Sequence, residues 1–289
     1  MYYSPLRYPG GKGKLAPFME YMIDELELHG GTYIEPFAGG AGIALDLLFN
    51  DVVSHIVIND YDKAIASFWK AVLSENERFV NHVMNVPINI REWERQRDIL
   101  KSSTKYSFEL GFAAFFLNRT NRSGIINGGP IGGKSQDGQW KMDARFNREE
   151  LSNRIRRIGE HKTDITIYNK DVNSLITNYV SKFGERTLIY FDPPYFKKGK
   201  QLYMNYFSLS DHKRIEKLIR EKVDCAWLIT YDDSPEIVRI YNGYEIRQFD
   251  LNYSVANKRV ASELMIFPPN NKCPRNEDLL KNNVCINLR

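Results

Sequence analysis

Two short apolar runs, each ending in an acid, enclose a glycine-rich turn near the start of the sequence, and they restrict the possible folds most strongly. TYIE at 32–35 is followed by PFAGGAG, by an apolar stretch with helical spacing, and by HIVIND at 55–60. A strand, a glycine turn, a helix and a second strand in this order predict the opening of a doubly wound parallel sheet. We therefore expect an α/β fold.

The pattern changes in the middle of the chain and then returns. From about residue 63 to 161, AIASFWKAVL, INIREWERQRDIL and FELGFAAFFLN have helical spacing. DITIYN and TLIYF resume the α/β alternation, and YEIRQFDLNYSV and ASELMIFPP predict an antiparallel pair. The expected organisation is a sheet domain at 1–68 and 160–269, an inserted helical domain at 69–159, and a loose polar tail at 270–289.

Composition excludes several classes of protein. The 289 residues are 43% hydrophobic, enough for a full core, and the net charge of +4 is compatible with a polyanionic partner. Three cysteines without CxxC spacing and five scattered histidines support neither a disulfide framework nor a metal site. Because the sequence shows neither a signal-peptide core nor an apolar run long enough for a membrane span, we expect a cytoplasmic protein.

Two glycine-rich segments are candidate ligand-binding loops. EPFAGGAG at 35–42 places glycines between a strand and a helix, where backbone can approach a ligand, and Asp60 ends the next strand, where an acid can hold ribose hydroxyls. This turn does not match GxGxxG. RYPGGKGK at 7–14 lacks the Ser or Thr of a P-loop. Taken alone, either segment could be an ordinary turn or a flexible arm.

The run LIYFDPPYF at 188–196 places an acid, two prolines and an aromatic where a core strand meets solvent. Asp192 and the nearby carbonyl groups form a rigid cluster of acceptors beside the ring of Tyr195, because the prolines fix the backbone and remove donors. Such a cluster suits a planar ligand that carries an NH₂ group. The alternative is a simple strand-ending turn.

Taken together, these motifs resemble one family. The order PGGKGK, EPFAGG, IVINDYD and LIYFDPPY resembles the Dam-type site-specific DNA adenine-N6 methyltransferases, which use S-adenosyl-L-methionine. The likeness continues through FFLNRTNRSGI, DARFN, WLITYDD and NYSV…KR…SELMIF, up to about Pro269. It implies a Rossmann-like methyltransferase sheet with an inserted, mainly helical DNA-recognition domain.

The resemblance also implies a cofactor site. S-adenosyl-L-methionine would donate its methyl group and leave as S-adenosyl-L-homocysteine, without a metal ion. The positions that match the family's cofactor residues are Tyr8, Lys12, Glu35, Phe37, Gly39, Gly40, Asp60, Asp171 and Asp192. The family usually has glycine where Ala41 stands, and we expect this small residue to leave cofactor binding intact.

Catalysis is assigned by the resemblance to Asp192, Pro193, Pro194 and Tyr195. The Asp192 carboxylate and the Pro193 carbonyl would accept N–H bonds from the adenine amine, freeing its lone pair to attack the methyl group. The base must first be flipped out of the duplex, and Tyr195 would stack on it.

Double-stranded DNA is the expected partner, and a cognate restriction endonuclease is a further partner that the sequence leaves open. The candidate DNA contacts are Asn118, Arg119, Arg122, Asn127, Arg145, Lys258 and Arg259, with Arg154, Arg156 and Arg157 as additional contacts to the phosphates. Relatives that read GATC tend to carry an arginine three positions after the glycine of this loop. Asn127 stands at that spacing from Gly124, which argues against GATC as the recognition sequence.

Two other functions remain as alternatives. A DNA cytosine-N4 methyltransferase would use nearly the same chemistry, but that group commonly has serine where Asp192 stands. A catalytically inactive DNA-binding relative should have lost Asp192 or Tyr195, and both are present. Methylation of RNA or of a protein amide fits the inserted helical segment less well.

Overall fold

The computed structural model describes residues 3–7, 12–196, 207–253, 259–269 and 273–289, with the side chains of 251–253 and 259–261 excepted. In this part of the chain, no helix is long and apolar enough to cross a membrane.

A seven-stranded sheet with the order β3-β2-β1-β4-β5-β7-β6 forms the centre of the molecule. Its strands are β1 Thr32–Glu35, β2 His55–Asn59, β3 Ile165–Tyr168, β4 Thr187–Phe191, β5 Ala226–Asp232, β6 Glu245–Tyr253 and β7 Arg259–Phe267. The first five strands of the chain pair in parallel, while β7 runs antiparallel to both β5 and β6. The α/β fold and the late antiparallel pair predicted from the sequence are therefore confirmed.

Helices are present at the three segments of helical spacing that were predicted between residues 63 and 161, and also at positions that were not predicted. They are α1 Ala16–Glu25, α2 Gly42–Phe49, α3 Lys63–Ser74, α4 Asn76–Asn85, α5 Ile90–Ser102, α6 Phe108–Thr120, α7 Arg148–Glu160, α8 Val172–Asn178, α9 Leu209–Lys222, α10 Pro235–Ile240 and α11 Asn276–Lys281. Local sequence explains several of their starts. Asp62 caps α3, Asn89 caps α5 and Ser208 forms a capping box with Asp211 at α9.

Two hydrophobic layers cover the sheet because successive side chains of a strand point to opposite faces. Tyr33 of β1 packs into the layer formed with α1, α2 and α3, whereas its neighbour Ile34 packs into the layer formed with α8, α9 and α10. Both side chains are completely buried. The central strands are thus apolar on both faces, as parallel strands between helices must be.

The helices from α3 to α7 lie between β2 and β3 in the chain and share an aromatic core. That core consists of Phe68, Phe79, Phe108, Phe112, Phe115, Phe116 and Phe146. It belongs to the same hydrophobic cluster as Tyr33 and Ile56 of the sheet. The predicted boundaries at 68 and 159 fall inside α3 and α7, and the division into two domains stays a prediction.

The last residues of the chain correct the sequence-based expectation of a loose tail. α11 and the residues after it pack onto the main hydrophobic cluster through Leu279, Val284 and Leu288, which are all buried. Arg289 exchanges two backbone hydrogen bonds of 2.8 Å with Gln248 of the edge strand β6. The prediction failed because the polar residues dominate the composition, while three apolar side chains at suitable spacing are sufficient to fasten the segment.

Candidate active site

The polar residues at the carboxyl ends of the parallel strands define the candidate site. In the strand order, β1 lies between β2 and β4, so the chain reverses its direction of travel across the sheet between β1 and β4. Ligands of open α/β sheets bind at this kind of switch point. Glu35 ends β1, Asp60 follows β2, and Asp192 follows β4.

The glycine turn after β1 is held in shape by side chains from three other segments. The Asp60 carboxylate accepts the Gly39 N–H at 2.9 Å, and the Trp69 indole donates to the Gly39 carbonyl at 3.0 Å. The Ser4 hydroxyl donates to the Gly40 carbonyl at 2.5 Å. Ala41 has a φ of +47°, a left-handed backbone conformation that favours glycine, which is the residue that the family resemblance implies at this position.

Glu35 and Asp60 are acids with unusual protonation. Burial raises the pKa of Glu35 to about 8, although its carboxylate accepts the Ala44 N–H at 3.0 Å. Burial also raises the pKa of Asp60 to about 7, against the lowering effect of the Asp62 and Gly39 N–H groups. Acids whose pKa values lie near neutral pH, beside a glycine turn, are suited to accept hydrogen bonds from the hydroxyl groups of a bound ligand.

Asn59 connects three strand ends, and the sequence patterns did not single it out. Its amide nitrogen donates to the Pro36 carbonyl at 2.8 Å and to the Lys170 carbonyl at 3.1 Å. Its amide oxygen accepts the Lys170 N–H at 2.9 Å. A buried asparagine inside the apolar run HIVIND was the available signal, because such a group needs partners.

The predicted catalytic motif, Asp192 to Tyr195, begins directly after β4. The Asp192 carboxylate accepts the Thr230 hydroxyl at 3.1 Å and lies 3.5 Å from the Lys12 ammonium. Burial raises the pKa of Asp192 to about 6, while Lys12 pulls it down and Glu263 pushes it up. Pro193 is buried and Pro194 half-buried, and the carboxylate itself remains about one quarter exposed.

Tyr195 is 7% exposed, and its hydroxyl donates to the Glu263 carboxylate at 2.5 Å. The surface predicted to stack on a flipped base is therefore mostly covered in this structure. Lys12 is also buried, pairs with Glu263, and places its ammonium 5.1 Å from the centre of the Tyr195 ring. Lys12 thus joins the catalytic motif rather than extending into solvent.

Of three further predicted cofactor residues, Phe37 and Asp171 lie at the same edge of the sheet and Tyr8 lies outside the described residues. Phe37 is half-buried and packs against Phe207 with ring centroids 5.8 Å apart. Asp171 is exposed, follows the strand beside β2, and caps α8 through the Asn173 N–H at 2.9 Å.

The predicted DNA contacts divide into exposed and structural residues. Arg122, Asn127 and Arg145 are exposed on the segment between α6 and α7. Lys258 lies outside the described residues, and Arg259 is described only in its backbone, as the first residue of β7. The buried Asn121 supports this segment, since its amide nitrogen donates to the Ile125 and Ile126 carbonyls.

Asn118 serves the fold, which corrects its predicted role. Its amide oxygen accepts the Arg7 N–H at 2.7 Å, and its amide nitrogen donates to the Arg7 and Gly124 carbonyls at 2.7 and 2.8 Å. These bonds occupy the buried amide and tie the N-terminal segment to the loop. Arg119 is likewise buried beside it.

Two of the additional arginines are also structural. Arg154 donates to the Ser4 carbonyl at 2.8 Å, and Arg157 donates to the Phe49 carbonyl at 3.1 Å. Arg157 also lies over the rings of Tyr3 and Phe49. Arg156 is exposed. In a helix such as α7, sequence spacing alone did not separate the side chains that face the protein from those that face solvent.

Among the described residues, no group of three or more His, Cys, Asp or Glu side chains is arranged to hold a metal ion. The candidate site consists of a glycine turn, three acids at neighbouring strand ends of which Glu35 is buried and Asp60 and Asp192 are half-buried, and an acceptor cluster built on Asp192. These features lie at the switch point of the strand order, where open α/β sheets bind their ligands.

The sequence profile of the D12 class of N6 adenine-specific DNA methyltransferases matches residues 8–255, which is most of the chain. The chain therefore belongs to this family, and it is an adenine-specific DNA methyltransferase. It is also 24% identical over 282 residues to the type II methyltransferase M.MjaIII of Methanocaldococcus jannaschii, covering 90% of this chain and 91% of that protein.

Solved structures give looser likenesses. An rRNA methyltransferase, aviRa, from Streptomyces viridochromogenes superposes with a TM-score of 0.37 and 12% identity, covering 87% of this chain and 84% of that one. A provisionally described RNA methyltransferase from Pyrococcus horikoshii has a TM-score of 0.40 and 11% identity, covering 90% and 85%. Likenesses at this level do not bear on the chemistry of this chain.

Proposed function

We propose that this chain methylates the N6 amine of an adenine flipped out of double-stranded DNA, with S-adenosyl-L-methionine as donor and Asp192 as the principal acceptor of the amine. The proposal depends above all on the position of Asp192. Its partly exposed carboxylate directly follows β4, and β4 neighbours β1, whose glycine turn carries Glu35. No step requires a metal ion.

The residues around the glycine turn fit the donor. Asp60 and Glu35 would accept hydrogen bonds from the ribose hydroxyls and other polar groups of the donor. Burial raises the pKa of each acid, which means that its ionised form is poorly stabilised until a ligand donates hydrogen bonds to it. Phe37 would pack against a flat ring, and Asp171 lies at the adjacent strand end, where it could accept an exocyclic amine. When bound, S-adenosyl-L-methionine supplies a methyl group on a positively charged sulfur.

Asp192 would prepare the target amine. Its carboxylate and the Pro193 carbonyl would accept the two N–H bonds, which draws the nitrogen lone pair out of conjugation with the ring. The Thr230 hydroxyl already occupies Asp192 Oδ1 and orients the carboxylate. The Tyr195 ring is mostly covered, so we propose that entry of the flipped base requires the surroundings of this ring to open.

The segment between α6 and α7 would contact the DNA. The buried Asn121 supports this segment, and its amide oxygen accepts the Trp93 indole N–H at 2.7 Å. Arg122, Asn127 and Arg145 face solvent there, and Trp140 is 68% exposed. Cationic side chains would contact phosphates, while an exposed flat ring can stack on a base or a sugar.

The test is expression in cells that lack adenine methylation, followed by modification-sensitive long-read sequencing of their DNA. Asp192→Asn keeps the shape of the side chain and removes its charge, so it is the matched control. We expect N6-methyladenine at one short motif for the native chain, and a loss of at least about 100-fold in the purified Asp192→Asn variant. Methylation of the cytosine amine, or DNA without any mark, would contradict the proposal.

The presence of a cognate restriction endonuclease would be a separate property. The likeness to a type II methyltransferase motivates a search for such a partner. We propose that this chain protects DNA against one. Cleavage of host DNA after deletion of the methyltransferase gene would support this role, and viability with intact DNA would contradict it.

A further inference from the structure

Glu263 is a buried acid within an apolar strand, and the sequence patterns assign it no role. It is 1% exposed and lies in β7, where it pairs in register with Asp232 of β5. A buried carboxylate is costly unless charged or hydrogen-bonding partners compensate it. Its position in the run SELMIF therefore requires an explanation beyond packing.

The two oxygens of Glu263 hold two different members of the site. One oxygen pairs with the Lys12 ammonium, and the other accepts the Tyr195 hydroxyl at 2.5 Å. Lys12 comes from the N-terminal segment and Tyr195 from the end of β4, so one side chain of β7 joins segments that are far apart in the chain.

The position of Lys12 between two acids gives this arrangement a consequence for Asp192. The ammonium makes its closer ion pair with Glu263 and a longer one, at 3.5 Å, with Asp192. If Lys12 moved fully onto Asp192, it would form a tight ion pair and occupy an oxygen that the target amine needs. Glu263 supplies the competing anion that holds the ammonium away.

We propose that Glu263 is a positioning residue: it retains Lys12 at a distance from Asp192 and anchors the Tyr195 ring, so that Asp192 keeps its acceptor capacity for the amine. This inference rests on the proposed function, because it concerns the same acceptor. The residue acts through Lys12 and Tyr195 and touches no substrate.

The charges around Asp192 make the prediction specific. Lys12 and Glu263 are the charged groups that shift the pKa of Asp192, and the Asp192 charge in turn raises the pKa values of Glu35, Tyr33, Tyr190 and Tyr231. Burial raises the pKa of the three tyrosines above their ordinary value, so they stay neutral below pH 8. Asp232 is adjacent on β5, and its carboxylate accepts the Phe196 N–H at 2.9 Å.

The experiment compares Glu263→Gln with the native chain and with Glu245→Gln, an exposed acid on β6. The carboxyl titration of Asp192 is followed by carbon NMR in the protein without ligands, and the signal is assigned by its loss in Asp192→Asn. Glu263→Gln removes the competing anion, so we expect the Asp192 midpoint to fall by about one pH unit. Glu245→Gln should leave the midpoint unchanged.

A second readout is the single-turnover rate of methyl transfer at saturating cofactor and DNA. We expect a loss of at least tenfold in Glu263→Gln, with its acid limb displaced in the same direction as the NMR midpoint. In a Lys12→Met background, the additional substitution Glu263→Gln should lower the midpoint clearly less, because only the direct repulsion between Glu263 and Asp192 is then lost and no ammonium is released. A midpoint that stays at the native value, or falls equally in that background, would overturn the inference.

The native chain separates this inference from the proposed function. If the native chain fails to produce methyladenine, the proposed function fails whatever Glu263 does. If the native chain is active and Glu263→Gln matches it in midpoint and rate, only the role of Glu263 is refuted. Glu263→Asp keeps the charge on a shorter side chain, and it should retain the native Asp192 midpoint while losing rate.

Discussion

At the scale of single residues, the site concentrates acids whose environment opposes their ionised form. Burial is the largest cause of the raised pKa values of Glu35, Asp60 and Asp192, which lie at about 8, 7 and 6. A carboxyl whose pKa is raised in the folded chain binds its proton more tightly there than in the unfolded chain. These residues therefore lower the stability of the ligand-free protein at neutral pH and are explained by what they bind.

Glu35→Gln should expose this conflict between stability and binding. The proton bound by Glu35 favours folding below about pH 4.5, and this contribution is lost as the pH rises towards 8. Glutamine can still accept the Ala44 N–H without carrying a charge. Without cofactor, we expect the variant to melt on the order of 2 °C or more above the native chain at pH 8, with the difference shrinking near pH 5.

Above pH 8, where the Glu35 carboxyl is mostly ionised, the same variant should bind S-adenosyl-L-methionine at least about tenfold more weakly by calorimetry, since a hydrogen bond to a charged group contributes about 1.5–3 kcal/mol. Glu20→Gln, at an exposed acid on α1, is the matched control and should change neither quantity. A Glu35→Gln variant that melts below the native chain at pH 8 would show that the buried charge is compensated.

Sequence reasoning reached the acids that follow a recognisable strand and stopped where contacts cross between distant segments. Glu35, Asp60 and Asp192 could be located because each one ends an apolar run. Glu263 and Thr230 lie inside apolar runs, and their place in the site becomes visible only when β5 and β7 pair. Asn118 looked like a DNA contact, but its partners are backbone groups of Arg7 and Gly124, which a linear pattern does not bring together.

At the scale of elements, the close approach of α3 and α6 determines how the helical segment packs internally. A Cβ atom at Gly111 of α6 would lie 2.5 Å from the Ser67 carbonyl oxygen of α3. Real side chains do not approach backbone that closely, so the two helices touch only because residue 111 is glycine. The sequence predicted both helices correctly. Their close approach depends on the missing Cβ atom of Gly111, which the spacing of apolar residues does not reveal.

Gly111→Ala should therefore separate the two helices and lower stability. Helix propensity alone favours alanine by about 1 kcal/mol, so a net loss would isolate the effect of the close approach. We expect a decrease of about 1–3 kcal/mol in the free energy of unfolding, measured by urea denaturation. Gly129→Ala is the control, because a Cβ there meets nothing within 4 Å. Equal stability of the two variants would contradict the predicted crossing constraint.

At the scale of the whole molecule, the chain ends fasten the sheet and the site together. The N-terminal segment reaches the glycine turn through Ser4 and the catalytic motif through Lys12. The C-terminal residues cover the edge strand β6 by backbone pairing at Gln248, which shields an edge that could otherwise pair with another chain. Composition predicted a loose tail because it averages over residues, whereas anchoring depends on which few side chains face the core.

Two adjacent leucines of α11 test this attachment. Leu279 is completely buried and Leu280 is 69% exposed, although they are identical residues next to each other in the chain. If the tail packs as the structure shows, Leu279→Ala should lower the free energy of unfolding by about 2–5 kcal/mol, and Leu280→Ala should change it by no more than about 0.5 kcal/mol. Urea denaturation measures both, and similar effects of the two substitutions would mean that the tail does not contribute to the core.

The tail lies along β6, which is far from β1 in the strand order of the sheet. We therefore also expect the Leu279→Ala variant, below its melting temperature, to bind cofactor as the native chain does.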